Sequence, residues 1–337
     1  MLITPEFPMT RLRRLRRDNY MRRLIQENIL TVNDLIYPVF VMEGQHQKEA
    51  IPSMPGIFRY TIDTLIPVAE ECLNLGIPIL ALFPVINESL KDASGIESLN
   101  PDGLIPKTIG KLKRTFPELG ILTDVALDPY TIHGQDGIID KNGYVLNDES
   151  IEILVKQALI QAEAGTDIIA PSDMMDGRIK LIRKELEDKK YINTQIMAYS
   201  AKYASAFYSP FREAVKSLSH LKKSDKKTYQ LNPGNINEAI REIAADITEG
   251  SDMIMIKPGM PYLDVLSYVK NTFHMPTFIY QVSGEYSMIK AASLNGWLDG
   301  DKIMMETLLG FKRAGANGIF TYFALEAAKL LKDSFEF

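Results

Sequence analysis

The chain has 337 residues, is 46% hydrophobic and carries a net charge of −5. It is long enough for one large α/β domain or two smaller ones, and too acidic for a protein whose whole surface binds nucleic acid. Cys72 is the one cysteine, which excludes a disulfide framework and a cysteine-rich zinc site. No signal peptide opens the chain and no apolar run approaches a membrane span, so the expectation is a soluble, cytoplasmic protein with no membrane partner.

Residues 1–30 are the compositional outlier. Arg11-Leu12-Arg13-Arg14-Leu15-Arg16-Arg17 is a dense basic run, followed by Arg22-Arg23. Such a run can meet nucleic acid or an acidic partner, or simply stay solvated. Leu12, Leu15 and Tyr20 give it something to bury, which favours an arm that docks on another subunit.

After the arm, apolar runs recur at Leu35–Val41, Ile79–Phe83, Ile121–Leu127, Ile168–Ala170, Ile196–Tyr199, Met253–Ile256, Thr277–Val282 and Ile319–Phe323. Each reads as a buried strand. Helical faces separate most of them, at Ser150–Ala164, Ile236–Thr248 and Lys302–Arg313. Ala164-Gly165, Glu249-Gly250 and Ala314-Gly315 each end a helix on glycine before the next strand, and Leu75-Gly76 is a looser version. Eight strand, helix and glycine-stop units predict a (β/α)₈ barrel over 31–337, with an extended N-terminal arm. A doubly wound sheet is the alternative, but no G-x-G-x-x-G or Walker motif is present. Two connections exceed simple turns. One carries Asn87 to Pro106. The other, Tyr203 to Gln230, includes Lys222-Lys223-Ser224-Asp225-Lys226-Lys227 and reads as a lid, with most of its lysines solvated.

The strand ends are chemically loaded. In order they offer Asp124, Asp128, Tyr130, His133 and Asp136; Ser172, Asp173, Asp176 and Arg178; Tyr199, Ser200, Lys202 and Arg212; Lys257; Ser283 and Glu285; and Tyr322. Ser172 and Asp173 read equally well as loop caps. The two lysines carry most of the chemistry. Each follows an apolar run, so each ammonium is costly to desolvate and each pKa should fall. A neutral amine is what a Schiff-base nucleophile needs. The bland alternative is a pair of lysines snorkelling from strand ends. His46, His220 and His274 read as structural, His133 as a lid contact, and Trp297 as core or interface filler.

The stretch Gly250-Ser251-Asp252-Met253-Ile254-Met255-Ile256-Lys257-Pro258-Gly259-Met260-Pro261-Tyr262 resembles the active-site signature of the porphobilinogen synthase (5-aminolevulinate dehydratase) family. Met197 to Ser205, Asp124 to Tyr130, His133 to Gly137, Gln281 to Tyr286, Thr321 to Ala324 and the arginine-rich arm resemble it too, so the likeness spans nearly the whole chain. It implies a lyase that condenses two molecules of 5-aminolevulinate into porphobilinogen, through Schiff bases on Lys257 and Lys202. It further implies that Ser283 and Tyr322 hold one substrate carboxylate and that Arg212, Gln230 and Lys226 hold the other, with Asp124 and Tyr199 beside the substrates. Two residues depart from the family pattern. Lys226 stands where many members carry arginine, and Ser209 stands where glycine is usual, which puts the lid geometry in doubt.

Metal use follows from the same comparison. Zinc-dependent members place three cysteines where this chain has Ala126, Asp128 and Asp136, so the resemblance implies the aspartate-rich, zinc-independent branch. Asp128 and Asp136 could take a hard cation instead. The family's allosteric Mg²⁺ glutamate falls fifteen residues before Lys257, at Glu242; read alone, Glu242 is a helix-surface carboxylate. The family's assembly implies a homo-octamer built through the arm. A Schiff-base aldolase of the same fold is the enzyme rival, needing only one essential lysine. A barrel scaffold binding nucleic acid through the arm is the other.

Overall fold

The computed structural model describes residues 6–216 and 225–333. His220, Lys222, Lys223 and Ser224, named above, lie outside them. The barrel strands are β1 (Leu35–Met42), β2 (Ile79–Val85), β3 (Gly120–Val125), β4 (Ile168–Pro171), β5 (Gln195–Lys202), β6 (Met253–Lys257), β7 (Thr277–Gln281) and β8 (Gly318–Thr321). They pair in parallel in chain order, and β8 returns to β1 with Leu35 opposite Ile319 and Ile36 opposite Phe320. The sheet is therefore closed, and the (β/α)₈ expectation holds. Near-continuous apolar sequence fits strands buried on both faces, by the barrel interior and by the helical ring.

The helices of that ring are α1 (Ile62–Leu75), α2 (Leu104–Thr115), α3 (Asn147–Glu163), α4 (Arg178–Asp188), α5 (Asn237–Glu249), α6 (Leu263–Phe273), α7 (Ser283–Leu294), α8 (Gly300–Arg313) and α9 (Ala324–Lys332). The glycine stops behave as expected. Gly76, Gly165, Gly250 and Gly315 all have positive φ, between 82° and 110°, where a Cβ would clash with its own backbone. Apolar packing between strands and ring supplies the core. Val125, Ile169 and Ile196 of β3–β5, for example, meet Leu154, Ala158, Ile179 and Ile182 of α3 and α4.

Three differences from the sequence reading have physical causes. β3 and β8 stop two residues early, because Ala126–Leu127 and Tyr322–Phe323 are buried in turns, and burial alone does not distinguish a turn from a strand. β5 runs on to Lys202 through an irregularity between Ala198 and Ala201 that moves its register against β6. A short antiparallel pair, Lys48–Ala50 with Phe58–Tyr60, gave no periodic signal. Its second strand pairs with the upper end of β1, Phe40 opposite Arg59, above the point where β8 stops. Trp297 is not core: it is 75% exposed.

The arm contains a 3₁₀ turn at Leu12–Arg16 and a short helix at Asn19–Leu24, and neither buries a side chain. Leu12, Leu15 and Tyr20 are exposed beside the arginines. Among the described residues, no helix is long and apolar enough to cross a membrane.

The helix stops yield a stability test. A Cβ on Gly315 would sit 2.8 Å from Lys270 Cγ as well as at φ +110°, and Lys270 is tied to Asn317 Oδ1 at 2.7 Å. Gly315→Ala should destabilise the fold by about 1–2 kcal/mol, the usual penalty for a side chain in left-handed backbone, read as a lower denaturation midpoint in urea; an unchanged midpoint would contradict the steric account.

Candidate active site

Parallel strands place their C-terminal ends on one face, and the residues there converge on a single cavity. Its wall includes Asp124 and Asp128 from the third strand's end, Ser172 from the fourth, and Lys202 and Lys257 from the fifth and sixth. Ser283 and Tyr322 come from the seventh and eighth, and Arg212, Lys226 and Gln230 from the connection after β5. Of the residues singled out by sequence, Tyr199 and Asp136 are fully buried behind this wall rather than on it.

Lys202 and Lys257 are register partners on adjacent strands, yet their surroundings are not the matched apolar settings the sequence suggested. Lys257 Nζ sits among aromatic rings, 4.4 Å from the centroid of Tyr280, 5.1 Å from Tyr199, 5.3 Å from Phe211 and 5.4 Å from Tyr208. Ring faces favour the cation only weakly compared with the water it has lost. Burial, with the neighbouring Lys202 charge, pushes the Lys257 amine down to about 7 against the pull of Asp124, Asp128 and Asp136. Lys202 instead meets polar partners. Its Nζ lies 3.4 Å from Asp136 Oδ1 and donates to the Ser172 carbonyl. The difference was invisible in sequence because its causes are brought in from other parts of the chain, Asp136 and Ser172 to Lys202, and Tyr280, Tyr199, Phe211 and Tyr208 to Lys257.

The carboxylates divide likewise. Burial and the nearby Asp128 push Asp124 up to about 7, against the pull of Lys202 and Lys257, and its Oδ1 has no hydrogen-bond partner among the described residues. Burial also raises Asp128, opposed by Lys226. Asp136 goes the other way: burial opposes its charge, but Lys202, Lys226 and the Tyr229 hydroxyl hold it well below the usual carboxylate range. Lys226 Nζ stands 2.9 Å from Asp136 and 3.4 Å from Asp128, and Tyr229 donates to Asp136 at 2.7 Å. Lys226 is therefore buried, while Lys227 beside it is exposed as expected. The position where sequence allowed a small cation between Asp128 and Asp136 is taken by an ammonium group.

The connection after β5 is held from both sides. Phe211 N–H donates to Ser283 Oγ at 2.9 Å, and its ring packs on Phe40 and Phe83. Ser209 opens the helix Ser209–Ala214 with φ −55°, which any residue adopts, so the missing glycine costs nothing there. Gly284 is required for closeness instead: a Cβ on it would lie 2.5 Å from the Phe207 carbonyl oxygen. Tyr322 and Tyr280 share a hydroxyl contact at 3.1 Å. Asp173 caps a turn, accepting from Met175 N–H at 2.8 Å, whereas Ser172 faces the cavity. His133 reaches the Ala93 carbonyl at 3.1 Å, a contact with the 87–106 connection.

Zinc does not fit the residues present. Ala126 offers no donor and the two aspartates are bridged by Lys226. Among the described residues, no cluster of three or more His, Cys, Asp or Glu side chains is arranged to hold a metal ion. Glu242 is half-buried rather than on an open surface. It shares a pocket with Asp176 and Glu238, walled by Lys227 to Leu231. Burial raises its pKa, as do Asp246, Asp176 and Glu238, with Arg178 opposing. One carboxylate with acidic neighbours suits a hydrated Mg²⁺. Gln230 lines both this pocket and the active cavity, so Glu242 is nearer the site than a place on the barrel periphery would suggest.

The family profile for delta-aminolevulinic acid dehydratase matches residues 9–330. The chain belongs to the delta-aminolevulinic acid dehydratase family. A Bradyrhizobium diazoefficiens delta-aminolevulinic acid dehydratase is 56% identical over 320 residues, covering 95% of this chain and 90% of that relative. One from Rhodobacter capsulatus is 50% identical over 330 residues, covering 98% and 99%. The crystal structure of the Toxoplasma gondii dehydratase, in complex with its reaction product porphobilinogen, superposes with a TM-score of 0.95 at 45% identity, covering 97% of this chain and 95% of that one. In this dehydratase chain the arrangement can form imines: a buried amine near neutrality, a second amine beside it, and protonatable carboxyls within the same wall.

Because the neutral amine is the reactive form, Lys257 should react with an amine-selective acylating reagent with a midpoint near pH 7. An ordinary lysine would show a midpoint near pH ~10.4. Peptide mapping across a pH series reads this directly; a midpoint near 10 would contradict the desolvation argument.

Proposed function

We infer that this cavity condenses two molecules of 5-aminolevulinate, with loss of two waters, into porphobilinogen, the pyrrole from which tetrapyrroles such as heme are built. The observation that carries the reading is the pair Lys202 and Lys257, side by side at the ends of neighbouring strands in one charged cavity. An aldolase needs one such lysine; two ketone substrates need two.

Each lysine amine attacks one substrate ketone, and each imine releases one water as it forms. The imine acidifies the adjacent C–H and activates the carbon for attack. Both lysines are freed when the ring closes and aromatises, so the net loss is two waters. Lys257, largely neutral near pH 7, is ready as a nucleophile. Ser283 and Tyr322 receive one substrate carboxylate through hydroxyl donors. Arg212 takes the other bidentately, with Gln230 and the point charge of Lys226. Lys226 faces Asp128 and Asp136 here, so the incoming carboxylate competes with them for it. Asp124, raised to about 7, stands where it can accept or give a proton beside both amines. Tyr199 backs Lys257.

The donor set at Ala126, Asp128 and Asp136 supports the zinc-independent branch, with Mg²⁺ held through waters near Glu242, away from the reacting atoms. The exposed leucines and tyrosine of the arm support docking on a second copy in a homo-oligomer, an octamer by the family's habit, in the cytoplasm. Net negative charge speaks against nucleic acid as a partner.

Incubation with 5-aminolevulinate and Mg²⁺ should yield pyrrole colorimetrically, with a zinc chelator leaving the rate unchanged. Borohydride added with substrate should trap adducts on Lys257 and Lys202, and Lys257→Ala should lose several orders of magnitude in rate. Trapping at other lysines, or zinc lost together with activity, would sink the assignment.

Glu242→Ala should keep basal activity, lose stimulation by Mg²⁺ and move the size distribution toward smaller species. A variant inactive at every Mg²⁺ concentration with unchanged assembly would place Glu242 in the chemistry or the fold.

A further inference from the structure

Arg59 lies in the short strand Phe58–Tyr60 and is only 6% exposed, yet it does not line the cavity. Its guanidinium is aimed at the end of another element. Nε donates to the Ala214 carbonyl at 2.6 Å and Nη2 donates to the Glu213 carbonyl at 2.8 Å. Nη1 meets Glu49 at 3.2 Å, and Lys216 meets the same Glu49 oxygen at 3.2 Å. Glu213 and Ala214 are the last two residues of the helix Ser209–Ala214, which carries Arg212 into the cavity.

A helix of six residues is not stable in isolation, and its last carbonyls lack partners within it. A planar guanidinium donates to two successive carbonyls, of which that of Glu213 also accepts from Lys216 N–H at 3.0 Å; it complements the negative helix end and fixes position and rotation together. The strand that holds Arg59 is itself paired to β1, with Arg59 opposite Phe40. At the other side of the helix, Phe211 N–H is held by Ser283 Oγ and the Phe211 ring by Phe40 and Phe83. Arg212 is thus presented from a helix clamped to the barrel at two points. A twist or slide of that helix would carry the Arg212 guanidinium away from its target at the end of a long side chain.

We propose that Arg59 is a positioning residue for the second substrate: by capping the helix Ser209–Ala214 it sets where Arg212 meets the substrate carboxylate. The proposal rests on the assignment of Arg212 to that carboxylate. Arg59 touches no reacting atom, so its loss acts on binding rather than on the chemistry.

Arg59→Lys keeps the charge and the stem but cannot bond both carbonyls in one plane. It should raise KM for 5-aminolevulinate about tenfold, the usual scale for a lost charge-assisted hydrogen bond, with kcat little changed and borohydride trapping at Lys257 intact. In an Arg212→Ala background the same substitution should have little further effect on KM, because the two residues act as one unit. Additive KM effects, or a fall in kcat with unchanged KM, would overturn the proposal and leave Arg59 a stability residue. Arg212→Ala alone leaving KM unaltered would instead remove the carboxylate assignment, and the proposal with it. Arg59→Met extends the series; if it fails to fold, Arg59→Lys carries the test.

Discussion

The site depends on the cost of taking the Lys257 ammonium out of water. Aromatic rings surround it, and a second lysine stands on the adjacent strand. Burial and like charge both favour the neutral amine, while Asp124, Asp128 and Asp136 set a limit on how far it falls. Without those carboxylates two lysines could not share so small a volume. Without the rings, water would return and the amine would be an ordinary cation.

That balance is shared with the connection after β5. Lys226 and Tyr229 reach back to Asp136, and Gln230 closes the wall. Asp136 carries the charge that faces Lys202 as well as Lys226. Placement of this connection and the electrostatics of the lysine pair are therefore one problem. The helix Ser209–Ala214 belongs to the same arrangement, held by Ser283 on one side and Arg59 on the other. The barrel's strand ends bring Lys202, Lys257, Ser283 and Tyr322 to the cavity, and the connection adds Arg212, Lys226 and Gln230.

Charge type also separates ion chemistry from substrate chemistry. Where thiolates would hold a soft metal, this chain has an alanine and two carboxylates, and those carboxylates are neutralised by lysines. The acidic pocket around Glu242 lies behind the connection, sharing Gln230 with the cavity. Residues 227–231 of the connection form one wall of that pocket, and neither lysine of the pair lines it.

By itself the sequence determined the barrel and the identity of the groups in it. Apolar runs, helical faces and glycine stops are local signals. They follow from side-chain periodicity and from the steric cost of positive φ, so β1 to β8 were legible within a few residues. That the reactive residues share one face also followed, because parallel strands align their ends. Only the tertiary structure decided how those residues differ. Lys202 meets Asp136 across 66 residues of sequence and Lys226 meets Asp128 across 98, and Arg59 reaches Ala214 across 155. Desolvation, pairing and capping depend on what barrel closure brings alongside each group, and no local pattern encodes that neighbour. The shift in β5, the ring of aromatics around Lys257 and the anchoring of the Arg212 helix are long-range packing, visible only once the chain has folded.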